Sequence, residues 1–239
     1  MIDPRKAKHT DMEYEKQNNI VTISFDDGKA NIVSHDFLES LEQSLDRCES
    51  ESVGAIVLRG REGMFSAGFD LKEFAKGPEA GAALALRGFR MLLRLHSFPI
   101  PLIAAATGHT VAMGAFIVMA CDLRIATKGP FKITLPETQI SMDLPPVLLS
   151  LTASRIAKSH MTRAALLSEV FSPDDAVIAG FFDDCVDPEQ LDAHCHTLAS
   201  RLAELPREQF AKNKLDIRAE TLNAMRADIE AMAARAAAA

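Results

Sequence analysis

Two short runs of small residues in this 239-residue chain are suited to chemistry, each following an apolar run and each leading toward a helix. The first covers residues 64–74 and includes Phe65, Ser66, Ala67, Gly68, Phe69, Asp70, Leu71, Lys72 and Glu73. Before it stand Ala55, Ile56, Val57 and Leu58, bounded by Gly54, Gly60 and Gly63, which predicts a strand over 54–59. Where a strand bends into a helix, the first helical amides have no partner inside the helix and the local dipole favours negative charge, so these N–H groups can hold an oxyanion. The second run, residues 107–116, has Gly108, Ala112, Met113, Gly114, Ala115 and Phe116 between a strand expected over 101–106 and a helix expected over 113–120. Two such starts aimed at one point supply the pair of donors that an enolate or tetrahedral oxygen requires. The same residues also suit a plain turn at Gly68 and close helix packing through Ala112, Gly114 and Ala115.

Other chemistry is less well served. Ser66 lacks a Gly-x-Ser-x-Gly elbow and a histidine placed to activate it, so it is expected to be a turn residue. Cys48, Cys121, Cys185 and Cys195 show no C-x-x-C spacing, and His194 and His196 point to different faces of a helix, so no metal site is expected. Neither a Gly-x-Gly-x-x-Gly nor a Walker sequence occurs, which disfavours nucleotide cofactors. A formal charge of −7 with no basic stripe argues against nucleic acid. With no run of 18 apolar residues and no signal-peptide pattern, the expectation is a protein of the reducing cytoplasm that does not span a membrane.

Alternation predicts a strand over 20–25, and helical spacing of Phe37, Leu38, Leu41 and Leu45 predicts a helix over 34–48. Leu84, Leu86, Phe89, Leu92, Leu93 and Leu95 mark a helix over 78–96, and a further strand is expected over 122–126. Strands alternating with helices define an α/β core with mostly parallel pairing. Beyond Pro145 the spacing is helical, broken at Pro173, residues 179–182, Pro188 and Pro206; residues 189–239 form a helical layer whose alanine-rich end is a helix or a frayed tail. Residues 1–11, with Pro4, Arg5, Lys6 and Lys8, read as a disordered arm or an expression remnant, with Met12 as a natural start, leaving residues 12–188 as the core.

From about residue 12 to 190 the chain resembles the crotonase, or enoyl-CoA hydratase/isomerase, superfamily. The resemblance is carried by Lys29, Ala30 and Asn31, the run Phe65 to Glu73, Gly108, Gly114, Cys121 with Asp122, Pro136 with Glu137, and Ala179 with Gly180, in family order and spacing. It implies a repeated ββα superhelix, a C-terminal helical region that assembles homotrimers or dimers of trimers, and an acyl-CoA thioester as ligand, coenzyme A entering as part of the substrate. It implies an oxyanion hole from the Phe69 and Met113 amides. Coenzyme A is expected along Lys29, Ala30, Ala67, Gly68, Asp70, Leu71 and Lys72, with Gly114 and Phe116 beside the acyl group.

The resemblance also bears on the reaction. Of the two glutamates that position water in the family's hydratases, the first matches Phe116, which cannot accept a proton, and the second matches Glu137. The setting of Glu137, with Thr138, Gln139 and an apolar segment after it, looks like the mitochondrial-type Δ3,Δ2-enoyl-CoA isomerases. There one carboxylate moves a proton from C2 to C4. Met113 stands where the family usually has glycine; its amide donates if φ stays negative, and its side chain narrows the acyl pocket. Asp143 offers two alternatives, a second acid that restores hydration or thioester hydrolysis, or a solvated loop or N-cap aspartate before the next helix. A third alternative is a non-catalytic acyl-CoA binder, the pocket closed by Met113 and Phe116.

Overall fold

A computed structural model describes residues 11–238. The expected arm at residues 1–10 lies outside the described residues, while Asp11 already begins a strand, β1 (Asp11–Gln17). Sequence reading missed this strand because its residues are mostly charged. Its signal is short: part-buried Met12 and Tyr14 alternate with exposed Glu13 and Glu15. A hairpin through Asn18, at φ 55°, then pairs Gln17 with Ile20. Charged residues on such an edge discourage pairing with a further strand.

From there the chain repeats a ββα unit. The first comprises β2 (Ile20–Asp26), β3 (Ile32–Val33) and α1 (His35–Ser50). In the second, β4 (Ala55–Arg59) leads to β5 (Gly63–Ser66), β6 (Gly68–Phe69), α2 (Leu71–Phe74) and α3 (Pro78–Ser97). The third has β7 (Leu102–Ala106), β8 (Gly108–Val111) and α4 (Met113–Ala120), and the fourth β9 (Leu123–Thr127), β10 (Ile133–Thr134) and α5 (Pro146–Ala153). α1 begins where Ser34 Oγ accepts the Phe37 N–H at 3.1 Å, and its apolar stripe Phe37, Leu38, Leu41, Leu45 and Cys48 is buried as expected.

Among the described residues, the first strand of each unit joins a six-stranded sheet, order β1-β2-β4-β7-β9-β11, parallel except for the β1–β2 hairpin. The strand β11 (Asp184–Val186) follows α6 (Pro173–Ala179) and comes from the region expected to be helical. Both faces of the sheet are covered, which is why its strands read as continuous apolar runs. On β4, Ile56 and Leu58 enter the main core, while Ala55 and Val57 pack with Leu191, Cys195 and Ala199 of α7 (Leu191–Leu202).

The remaining chain is helical, with a π-helix at Thr162–Leu166, α8 (Arg207–Ile217) and α9 (Ala219–Ala238). Of the two states open to the alanine-rich end, helix or frayed tail, the chain adopts helix through Ala238. Buried Leu222, Met225 and Ile229 anchor α9, each contributing roughly 1.5–3 kcal/mol. The junction of α8 and α9 is tied to the core by charge. Buried Lys214 donates to Asp122 and to the Phe98 carbonyl, each at 2.7 Å, and Arg218 reaches the same carboxylate at 2.9 Å.

Candidate active site

Three short parallel strands, order β10-β8-β5, gather the residues that matter. Gly63 pairs with Gly108 and Ser66 with Thr110, while Ile133 and Thr134 pair with Thr110 and Val111. The chain leaving β5 carries Phe69, that leaving β8 carries Met113, and that leaving β10 carries Glu137. All three residues line one cleft of about 1920 Å³. Ligand sites in parallel sheets form at such carboxyl ends, where loops diverge. Neither small-residue run is the simple strand-to-helix bend expected from sequence, because β5, β6 and β8 intervene. Strands of two to four residues leave no readable alternation.

The first amide belongs to a strand. Gly68 N–H donates to Ser66 Oγ at 3.2 Å and Asp70 N–H to the Val33 carbonyl at 3.2 Å. Because successive amides of a strand point to opposite sides, the Phe69 N–H between them turns away from β3. The helix α2 starts only afterwards, capped by Asp70, whose Oδ1 accepts the Lys72 N–H at 3.0 Å. Ser66 is the turn residue expected: its hydroxyl is buried and donates to the Asn31 carbonyl at 2.7 Å.

The second amide is a helix start. Met113 opens α4, so its N–H has no acceptor within the helix. Its φ stays negative, as donation requires, because Ala112 takes up the turn at φ 51°, ψ −126°. Gly68 and Gly114 do not line the cleft as the resemblance implies; they let the two segments touch. A Cβ on Gly68, whose φ is 95°, would stand 2.7 Å from Ala112 Cβ and 3.2 Å from Met113 N. One on Gly114 would stand 2.6 Å from the Ser66 carbonyl oxygen.

Glu137 lies on the turn after β10, closed by the Ile140 and Met142 amides donating to its carbonyl at 3.2 and 2.8 Å. The residue is buried, and its Oε2 has no hydrogen-bond partner. Burial pushes the carboxyl up to about 7, opposed only by a hydrogen bond from its own backbone, with no charged neighbour contributing. An acid poised near neutrality can both take and return a proton. Phe116, one turn beyond Met113, is fully buried and lines the same cleft.

Lys29, Ala30, Ala67, Asp70, Leu71 and Lys72 line the cleft's outer part, with Lys29, Leu71 and Lys72 exposed. The two segments are joined where the Ala67 N–H donates to the Ala30 carbonyl at 2.9 Å. Asp143 also lines the cleft and is exposed. It does not cap the next helix: Asp228 of α9 accepts the Val147 N–H at 2.9 Å.

Two supporting residues have roles that sequence reasoning does not assign, Asn31 having served there only as part of the family pattern. Buried Asn31, at φ 48°, donates its amide to the Phe25, Met64 and Phe65 carbonyls, fixing the approach to β6. Its only local signal is Asp27, whose carboxylate accepts the Lys29, Asn31 and Ile32 N–H groups. Ser168, at φ 51°, brackets the Glu137 turn: its carbonyl accepts from Thr134 Oγ1 and its Oγ from Gln139 N–H, both at 3.3 Å. Nothing local in the sequence marks Ser168. Among the described residues, no cluster of three or more His, Cys, Asp or Glu can hold a metal, and no helix is long and apolar enough to cross a membrane.

A repeated ββα superhelix whose cleft is lined by Phe69, Met113 and one buried carboxylate defines the crotonase class of fold. Residues 15–237 match the family described as Enoyl-CoA hydratase/isomerase, and the chain belongs to that family. A Mycobacterium tuberculosis protein, described as an enoyl-CoA isomerase in one solved structure and as a probable enoyl-CoA hydratase in another, superposes with a TM-score of 0.89 at 33% identity, over 94% of this chain and 98% and 95% of those two. A probable enoyl-CoA hydratase of Bacillus subtilis (strain 168) is 38% identical over 52% of this chain and 48% of its own length. Human mitochondrial enoyl-CoA delta isomerase 1 is 29% identical over 78% of this chain and 63% of its own length. The chain therefore spans about half of the bacterial relative and under two thirds of the human one.

Proposed function

We propose that this protein is an enoyl-CoA isomerase that shifts the double bond of a 3-enoyl-CoA to the 2 position. One observation carries the reading: Glu137 is a buried carboxyl whose Oε2 has no partner and which no charged neighbour pairs, on a cleft that Phe116 also lines. The thioester oxygen accepts hydrogen bonds from the Phe69 and Met113 amides, which stabilise the negative charge that develops there. Glu137 then removes a C2 proton, the electrons delocalise through the C3–C4 double bond into a dienolate, and the same carboxyl returns the proton to C4. The C2–C3 double bond of the product is conjugated with the thioester. No water enters, so no second acid is needed to orient one.

The cleft exceeds the usual small-molecule pocket of roughly 300–1,000 Å³, in keeping with a ligand as long as an acyl-CoA. Lys29 and Lys72 supply positive charge for its phosphates on an otherwise anionic protein. We further infer a cytoplasmic homotrimer or dimer of trimers. The buried face of α9 is used within the chain, whereas around α8 Leu205 and Ile217 remain 44% and 83% exposed, surface that a second copy can cover.

The test is incubation with a 3-enoyl-CoA while following the absorbance of the conjugated thioester. Turnover that Glu137→Gln abolishes supports the reading. Absence of turnover, or full activity in Glu137→Gln, overturns it. Binding of acyl-CoA without chemistry would identify a non-catalytic binder. Exposed Asp143 on the same cleft favours a second reading, hydration of a 2-enoyl-CoA by Glu137 with Asp143; that activity must disappear in Asp143→Asn.

A further inference from the structure

Buried Gly88 lies on α3, outside every run that carries the resemblance, and it is the seat of the Phe69 side chain. A Cβ there would stand 2.5 Å from Phe69 Cζ, 2.6 Å from its Cε1 and 3.2 Å from Met113 Cε. The first two separations are far inside van der Waals contact, so with any larger residue the ring must move. Close packing alone would explain a small residue at this place. The other side of the ring changes the meaning: Phe69 is only part-buried and lines the cleft, together with Ala85 and Phe89 of α3 and with Met113.

The ring has few ways to go. Phe74 of α2 stands 5.8 Å from it and Phe89 of α3 6.3 Å, centroid to centroid. Phe74 is itself seated on Gly81, one heptad earlier, where a Cβ would come within 2.8 Å of its Cδ1. Sideways displacement along α3 is therefore blocked, and the open direction is the cleft. The backbone cannot follow, because Asp70 N–H is held by the Val33 carbonyl and Gly68 N–H by Ser66 Oγ.

We propose that Gly88 determines specificity, setting how far an acyl chain enters the cleft by keeping the Phe69 ring and the Met113 side chain seated against α3. The ring is the adjustable wall of the acyl chamber, while the Phe69 amide stays fixed in β6. A methyl group at position 88 pushes the ring into the chamber and shortens the chain accepted, at about fourfold in affinity for each methylene excluded. The inference rests on the acyl-CoA reading of the cleft but not on which reaction occurs there.

Calorimetric titration of the full chain with saturated butanoyl-, octanoyl- and hexadecanoyl-CoA separates the two. Wild type is expected to bind the longer chains more tightly. Gly88→Ala should weaken hexadecanoyl-CoA by about tenfold or more while leaving butanoyl-CoA within about twofold. Phe69→Leu, which shrinks the wall without touching the helix, should shift the preference the opposite way, and it decides the matter if Gly88→Ala does not fold. Equal weakening at every chain length in Gly88→Ala, or an unchanged preference in Phe69→Leu, overturns the role of Gly88. Failure of wild type to bind any of the three overturns the acyl-CoA reading and this proposal with it.

Discussion

Gly68 leaves no room for a side chain beside Met113: a carbon added there would stand 3.2 Å from the Met113 amide nitrogen. The two segments are 45 residues apart in number but adjacent because Gly63 pairs with Gly108 and Ser66 with Thr110. The close approach of the segments carrying Phe69 and Met113 thus depends on a glycine that does not itself line the cleft.

Gly68→Ala tests that dependence. The added methyl meets Ala112 Cβ at 2.7 Å, and φ 95° is unfavourable to alanine, so the hole should open and kcat fall by about 10²-fold. Steady-state kinetics on a 3-enoyl-CoA, beside near-native circular dichroism, checks the outcome. A kcat within twofold of wild type would speak against this geometry.

The pH profile follows from Glu137. Its carboxyl must be ionised to take a proton, and burial holds it at about 7, so kcat/KM should fall as pH drops through about 7. An acid limb with a midpoint near the ordinary carboxylate range would show that another group sets the rate.

The same burial has a stability consequence. Because the folded state holds this proton up to about 7 while an unperturbed glutamate releases it at 4.5, folding loses on the order of 3 kcal/mol as pH rises between those values. Glu137→Gln should therefore raise Tm at pH 8 and leave it nearly unchanged at pH 4. Thermal melts at the two pH values provide the comparison.

Ser168 acts on Glu137 through the turn it brackets. Ser168→Ala removes the acceptor for Gln139 N–H and should lower kcat about five- to tenfold with KM little changed, and it should displace the acid limb of the pH profile. A purely structural role would lower Tm and leave the pH midpoint in place.

Asp122→Ala should unlatch α8. The substitution leaves buried Lys214 and the neighbouring Arg218 without their shared carboxylate, at a cost of about 3–5 kcal/mol in unfolding free energy. Denaturant titration measures it.

How much was legible follows from element length and from the range of the interactions. Helices such as α1 and α3 and strands such as β4 and β7 carry enough residues for their periodicity to show, and they fall within a residue or two of expectation. The two-residue β3, β6 and β10 carry none, and the charged edge strand β1 hides its alternation in two residues, Met12 and Tyr14. Phe69, Met113 and Glu137 were found through short motifs in register, whereas Asn31 as a hub and Ser168 as a bracket depend on contacts to distant carbonyls and amides. Asp143 is the solvated loop residue that sequence allows and not the cap, a role that falls to Asp228, 81 residues beyond the capped Val147.

By itself, then, the sequence determined the α/β class, the family pattern and the absence of an acid at position 116. Each is a property of residue identity and short-range order. Only the tertiary structure decided that three loops meet at the ends of β5, β8 and β10, that Gly68 and Gly114 serve contact instead of lining, and that Glu137 is buried with its Oε2 unpartnered. Those properties arise from long-range strand pairing and desolvation, which no local window of residues encodes.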